Sequence, residues 1–338
     1  MKLRVGLIGL GDQWEKRHRP ALLALSDRFD VRAICCEVAE RSRMVADEFN
    51  AVAIDGFRAM IERDDIDAVL ALAPDWVGPL PLIAASEAGK AVYCSTALDI
   101  SPDQAAEIRR RIDDSGVAFM AEFPRRYAPA TIRLKELIAT RLGSPYLLFC
   151  HDRMPLESQS DRLRRGDYCP LVWRRIMEQV DWCRYIVGEE PESVVGAGLN
   201  SSDANEKFYQ MVSLQFPESP SGVRALAQLS LGHYIPARWT EALSYRRPAS
   251  IQVSCQNGMA FLDLPSTLVW FDDAGQHTES LESEKPIGEQ MLSQFHRSVT
   301  SLVRQQTDLI DAYRAMQTVL QSNESIKSGQ RITLKFDL

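Results

Sequence analysis

The 338-residue chain is 45% apolar and 25% charged, with a formal net charge of −7. These are ordinary values for a folded protein, at a length that allows two domains with separate cores. The acidic balance opposes nucleic-acid binding, which needs a basic face to displace counterions from phosphates, and no apolar run approaches the roughly 18 residues that span a bilayer. The seven cysteines form no C-x-x-C pair; Cys35, Cys36, Cys94, Cys150 and Cys255 sit in apolar strand-like runs, so a reducing cytoplasm is the expected compartment. Gly9, Gly11 and Asp12 interrupt the apolar start, and no export signal is read there.

From the amino end, Leu3–Gly9 reads as a buried strand running into the turn Gly9-Leu10-Gly11. Two glycines so placed let the backbone turn sharply and approach a pyrophosphate, with the following helix presenting its amino end to the anion. Trp14 stands where the third small residue of Gly-x-Gly-x-x-Gly belongs. Further strands are expected at Val31–Cys36, Ala51–Ile54, Ala68–Ala73, Ala91–Ser95 and Val117–Ala121. Helices are expected between them at Pro20–Leu25, Ala39–Phe49, Phe57–Glu62, Pro79–Ala88 and Pro102–Asp113. This alternation predicts a Rossmann-type, doubly wound parallel sheet over residues 1–122.

Beyond that the rhythm changes. A helix is expected over Ala128–Leu142, a strand over Pro145–His151, a helix over Leu171–Val187 and a strand over Ser193–Leu199. Strand-length segments come next at Lys207–Phe216, Val223–Gly232, Ala249–Gln256, Met259–Leu264 and Thr267–Trp270. Gln256-Asn257-Gly258 marks a hairpin turn. Helices at Glu289–Arg304 and Asp308–Ser325 precede a last strand, Arg331–Phe336. Residues 123–338 are therefore expected to form an α+β domain with a mostly antiparallel open sheet.

Several segments in this order resemble the Gfo/Idh/MocA family of NAD(P)-dependent oxidoreductases. They are Val5-Gly-Leu-Ile-Gly-Leu-Gly11, Asp67-Ala-Val-Leu-Ala-Leu-Ala-Pro-Asp75, Glu87-Ala-Gly-Lys-Ala-Val-Tyr-Cys94 and Phe123-Pro-Arg-Arg-Tyr-Ala-Pro-Ala130. Lys135 through Pro145, the Asp181-to-Gly188 helix end and the terminal helix pair carry it further. The resemblance implies NAD or NADP as cofactor and a sugar, polyol or derived acid as small-molecule substrate. It further implies hydride transfer in an interdomain cleft, and a homo-oligomer formed through the C-terminal sheet. It places the cofactor along Gly9, Gly11, Asp12, Gln13 and Trp14, then Cys36, Glu37 and Arg41, then Ala73, Pro74 and Asp75, and at Ser95.

The family's chemistry maps onto changed residues. Its Glu-Lys-Pro motif falls on Ser95-Thr96-Ala97, and Thr96 supplies a hydroxyl but no charge or titratable proton. Its catalytic aspartate and histidine fall on Arg174 and Glu178, which share one helix face at i and i+4. They can pair with each other, or Glu178 can act as the base while Arg174 holds a substrate carboxylate or phosphate. Its ribose-binding acid falls on Cys36, beside Glu37, with Arg41 and Arg43 available to attract a 2′-phosphate. His18 sits one residue late against a family histidine, and a single insertion after Gly11 explains both that shift and Trp14. Arg125 or Arg126 is expected to tie the two domains through an ion pair, and no cluster has metal-ligand spacing. The alternative, from another class, is a catalytically degenerate member that senses a dinucleotide or sugar, or serves as an assembly partner.

Overall fold

The computed structural model describes residues 2–73, 78–95, 102–156, 170–200, 208–219, 222–236, 239, 241–242, 245, 249–301 and 307–336. The chain divides into two compact units: Met1–Pro124 with Lys285–Arg314, and Arg125–Glu284 with Ala315–Leu338. The sequence boundary at 122/123 lies two residues before this division. Residues 285–314, expected in the second domain, group with the first.

The first unit is built on six strands: β1 (Leu3–Ile8), β2 (Phe29–Cys35), β3 (Val52–Ala53), β4 (Ala68–Ala71), β5 (Ala91–Cys94) and β6 (Phe119–Ala121). All pair in parallel, in the order β3-β2-β1-β4-β5-β6. Strands covered on both faces read as continuous apolar runs rather than alternating ones, and β4 and β5 are buried along their whole length. The crossovers contain α1 (Arg19–Ala24), α2 (Ala39–Phe49), α3 (Phe57–Ile61), α4 (Leu80–Glu87) and α5 (Pro102–Ser115). The chain leaves β1 towards β2 and β3 on one side, then crosses from β3 to β4 on the other side and continues outward to β5 and β6, so the switch point where such sheets bind ligands lies at the carboxyl ends of β1 and β4. The returning helix α8 (Ile287–Thr300) completes this core: Phe295 lies edge-on to Tyr93 at 5.5 Å, and His296 meets Phe29 at 5.7 Å.

The second unit opens with α6 (Pro129–Leu137) and a π turn, Ile138–Leu142, stopped by Gly143 at φ 73°. Its long strand β7 (Pro145–Leu156) lies in a nine-stranded sheet ordered β14-β13-β12-β11-β7-β10-β9-β8-β15. The remaining strands are β8 (Ser193–Asn200), β9 (Phe208–Glu218), β10 (Arg224–Pro236), β11 (Ile251–Cys255), β12 (Gly258–Asp263), β13 (Thr267–Asp272), β14 (Gly275–Ser280) and β15 (Ile332–Thr333). The sheet is antiparallel except where β10 runs parallel to β7. Cys255 opposite Gly258 places the expected hairpin turn at Gln256-Asn257. Strand β14 has no counterpart among the expected strands, because its polar sequence lacks an apolar alternation to read. Helix α7 (Pro170–Val187) covers one face of the sheet, with Cys183 Sγ 3.8 Å from Cys150 Sγ of β7 and Trp182 donating to Thr131 Oγ1 of α6 at 3.0 Å. Helix α9 (Thr307–Ser328) spans the division between units, and its Ser325 hydroxyl caps the amide of Gly196 on β8 at 2.9 Å.

Candidate functional site

The Gly9–Gly11 turn sits at the carboxyl end of β1. Gly9 has φ 74°, in the left-handed region, and a Cβ there would collide with Ala73 beyond β4; a Cβ on Gly11 would collide with the carbonyl of Leu72. Both glycines are therefore required by the chain's own close approach at the switch point, whatever the turn binds. Gly9 also donates its amide to Cys35 O at 2.7 Å, which locks the turn to β2.

The glycine turn leads into a π turn, Trp14–His18, in place of a regular first helical turn. The amide of His18 reaches back five residues to Gln13 O at 3.2 Å, and that of Arg19 reaches Trp14 O. A wide i→i+5 turn of this kind has room for one residue more than a regular helical turn. It also settles where the bulky indole goes. Trp14 is 1% exposed and packs 6.1 Å from the ring of Phe49, on the core side, while Asp12 and Gln13 are exposed and Gly11 is half-buried. The outer surface of the glycine turn is thus clear of the tryptophan, and the residues present fit a pyrophosphate laid over it. The indole Nε1 has no hydrogen-bond partner among the described residues.

The other expected cofactor residues fall into three groups. At the end of β2, the Cys36 thiol lies 2.8 Å from Ser42 Oγ and 3.4 Å from Val38 O, while Glu37 and Arg41 are exposed. At the ends of β4 and β5, Ala73 is half-buried, and Ser95 spends its hydroxyl on Leu72 O at 2.9 Å. Pro74, Asp75 and Thr96 lie outside the described residues.

One cluster in this unit joins His18 to two residues that the sequence did not single out, Arg17 and Glu122. Glu122, which comes directly after β6 and is 3% exposed, accepts from Arg17 Nη1 at 2.6 Å and lies 3.2 Å from His18 Nε2. The only signal in the sequence is a charge at the end of a run that reads as a buried strand. The pairing itself joins residues more than a hundred positions apart, which no local pattern reveals.

In the second unit, Arg174 and Glu178 both lie on α7 and are half-buried. The carboxylate of Glu178 lies 3.5 Å from Arg125 Nε, and Arg125 Nη2 donates to Asp152 of β7 at 3.0 Å. Arg175 stands 3.9 Å from the same aspartate. The Arg125 guanidinium thus links strand to helix between two carboxylates. Burial works against its charge, but Glu178 and Asp152 outweigh that and raise its pKa above the ordinary value. Arg126 pairs with Asp181, which is 0% exposed. Both arginines make these ion pairs with residues of the second unit. His151 stacks on Phe149 and lies 2.8 Å from Ser230 Oγ; burial and then Arg153 lower its pKa, which favours a neutral ring. Among the described residues no group of three or more His, Cys, Asp or Glu side chains is arranged to hold a metal, and no helix is long and apolar enough to cross a membrane.

Strand order, switch point and glycine turn together define a doubly wound dinucleotide-binding domain carried on the same chain as an open-sheet α+β domain. Residues 3–123 match the GFO_IDH_MocA family, described as an oxidoreductase family with an NAD-binding Rossmann fold, and this domain belongs to it. NAD(P) is accordingly its cofactor class. The chain is 27% identical over 170 residues to the uncharacterized oxidoreductase YrbE of Bacillus subtilis, covering 50% of this chain and 49% of that one. It is 30% identical over 165 residues to D-xylose 1-dehydrogenase (NADP(+)) 2 of Haloferax volcanii, covering 47% and 49%. The chain thus spans about half the length of these curated relatives. Its fold is shared with the aldose-aldose oxidoreductase of Caulobacter crescentus, at a TM-score of 0.81 and 16% identity over 99% of this chain and 100% of that one.

Proposed function

We propose that the protein is an NAD(P)-dependent oxidoreductase that interconverts a hydroxyl and a carbonyl on a sugar, polyol or derived acid. The observation that carries this reading is the glycine turn at the switch point, left open because the π turn folds Trp14 into the core. Relatives named as a xylose dehydrogenase and as inositol 2-dehydrogenases support the substrate class. The segment Gly9–Gln13 would hold the pyrophosphate and Cys36–Arg41 the adenosine ribose. When bound, the nicotinamide exchanges a hydride with the substrate carbon.

The chain's own part is a proton and an orientation. Glu178 takes the hydroxyl proton, held in place by Arg125, while Arg174 four residues earlier on the same helix binds an acidic group of the substrate. Asp152 holds the other side of Arg125, so that the guanidinium keeps a fixed position when Glu178 changes protonation.

The test is a thermal-shift screen with NAD, NADH, NADP and NADPH, followed by turnover on a polyol and sugar-acid panel. A nucleotide at about 100 times its Kd stabilises by roughly 2.7 kcal/mol, and at least one of the four is expected to do so. If none raises Tm, the oxidoreductase reading is wrong. Binding without turnover on any substrate would favour the sensing role instead. A homo-oligomer through the open face of the nine-stranded sheet belongs to the same proposal; Val195, Leu199 and Leu226 stand on that face, exposed. Light scattering of the purified chain decides it, and a monomeric mass would refute it.

A further inference from the structure

We infer that the adenosine end of the cofactor site selects NADP(H) over NAD(H), and that Arg41 is the residue that selects it. The inference rests on the dinucleotide reading above. Discrimination between the two cofactors is made at the end of the second strand, where an acidic side chain bonds the ribose 2′-hydroxyl or an arginine receives a 2′-phosphate.

Three observations bear on which case holds. The residue directly after β2 is Cys36, uncharged, and its thiol is already engaged by Ser42 Oγ at 2.8 Å and by Val38 O at 3.4 Å. Ser42 also accepts the Cys36 amide at 2.9 Å, which ties the start of α2 back onto this position. The position normally given to an acid therefore offers no carboxylate for a ribose diol. Next, the two arginines of α2 differ in their commitments. Arg43 is paired with Glu40 at 3.5 Å, whereas Arg41 is exposed and makes no ion pair or hydrogen bond among the described residues. Arg41 lies in the first turn of α2, one residue before the serine that holds Cys36. Its guanidinium fork matches a phosphate in bidentate fashion.

Glu37 works against this, being one residue beyond Cys36. It too is exposed, and its repulsion of a phosphate acts through water and salt, which weaken it. A direct guanidinium–phosphate contact is weakened much less, so Arg41 prevails.

Titration of the whole chain with NADPH and with NADH, followed by nicotinamide fluorescence or calorimetry, tests this without reliance on turnover. NADPH is expected to bind at least tenfold tighter, a difference of about 1.4 kcal/mol. Arg41→Ala should reduce the NADPH-to-NADH affinity ratio about tenfold. Arg43→Ala, which removes a paired side chain, should leave the ratio within twofold, and Cys36→Asp should reverse the preference. Equal or tighter binding of NADH, or an unchanged ratio in Arg41→Ala, overturns the selection while leaving the dinucleotide reading standing. Failure of both nucleotides to bind overturns both. Circular dichroism of each variant separates a lost contact from a lost fold, and because a ratio is read, partial unfolding affects both nucleotides alike.

Discussion

At the scale of single residues, the substitutions in this chain acquire meaning from their partners. Glu178 is not an isolated replacement on a helix; it shares Arg125 with Asp152. Glu178→Gln keeps the shape and loses the proton acceptor, so turnover should fall by about 10²–10⁴ while nucleotide affinity, measured by titration, is retained. Full turnover in that variant would remove Glu178 from the chemistry. Arg125→Met removes the cation shared by Glu178 and Asp152, leaving Asp152 only the more distant Arg175 at 3.9 Å among the described residues, and should cost about 3–5 kcal/mol, as removal of one member of a buried ion pair does; urea unfolding measures it. Trp14 gives a contrast within one site. Trp14→Ala opens a large cavity and should cost about 3–5 kcal/mol. Trp14→Phe should cost less, because the unpartnered indole N–H disappears with the lost volume. Equal losses in the two variants would show that the N–H has a partner in solution.

At the scale of elements, the β13–β14 hairpin shows how a short polar strand is secured. The indole of Trp270 is stacked against His277 at 3.7 Å, lies 4.9 Å from the Arg141 guanidinium and donates to Glu279 at 2.9 Å. Glu279 in turn accepts from Arg133 of α6 at 2.8 Å, while Asp272 lies 3.1 Å from Arg141 and 3.0 Å from His277 Nε2. The hydrogen bond from His277 and the Arg141 charge lower the Asp272 pKa, and Arg133 does the same for Glu279. Carboxylates depressed in the folded state add stability above their unfolded pKa values, near 4, and lose it as pH falls through the lower folded values. Acid titration below about pH 4 should therefore loosen this hairpin, with Trp270 fluorescence as the signal. Asp272→Asn should flatten that dependence, and an unaltered acid transition in the variant would refute the assignment. The π turn after the glycines is an element of the same kind: one wide turn decides whether a tryptophan lies in the core or over the outer surface of the glycine turn.

At the scale of the whole molecule, the first unit is discontinuous in sequence. Tyr93 of β5 is 0% exposed because Phe295 and Met291 of α8 cover it, and Gly288 lies so near the Arg17 carbonyl that a side chain there would crowd it. A fragment ending at Pro124 should therefore fail to fold cooperatively, and rejoining Lys285–Arg314 through a flexible linker should restore a sigmoidal melt. A cooperative transition in the short fragment would show that α8 is dispensable.

The periodic features were legible in the chain itself. Continuous apolar runs of strand length and Gly9-x-Gly11 are local, and local patterns report the pleat, the turn and the parallel sheet. The placement of the strands up to β13 came from the same source, whereas β14 escaped because its residues alternate no apolar face. The family resemblance implied that three catalytic positions are changed, Thr96, Arg174 and Glu178 standing where it places a lysine, an aspartate and a histidine. Tertiary structure alone decided which cation Glu178 meets. It brought Arg125 to Glu178, Glu122 to His18, and α8 back to the first sheet, and it turned Trp14 inward. Each of these joins segments distant along the chain or chooses between two sides of one turn, and periodicity carries no information about either.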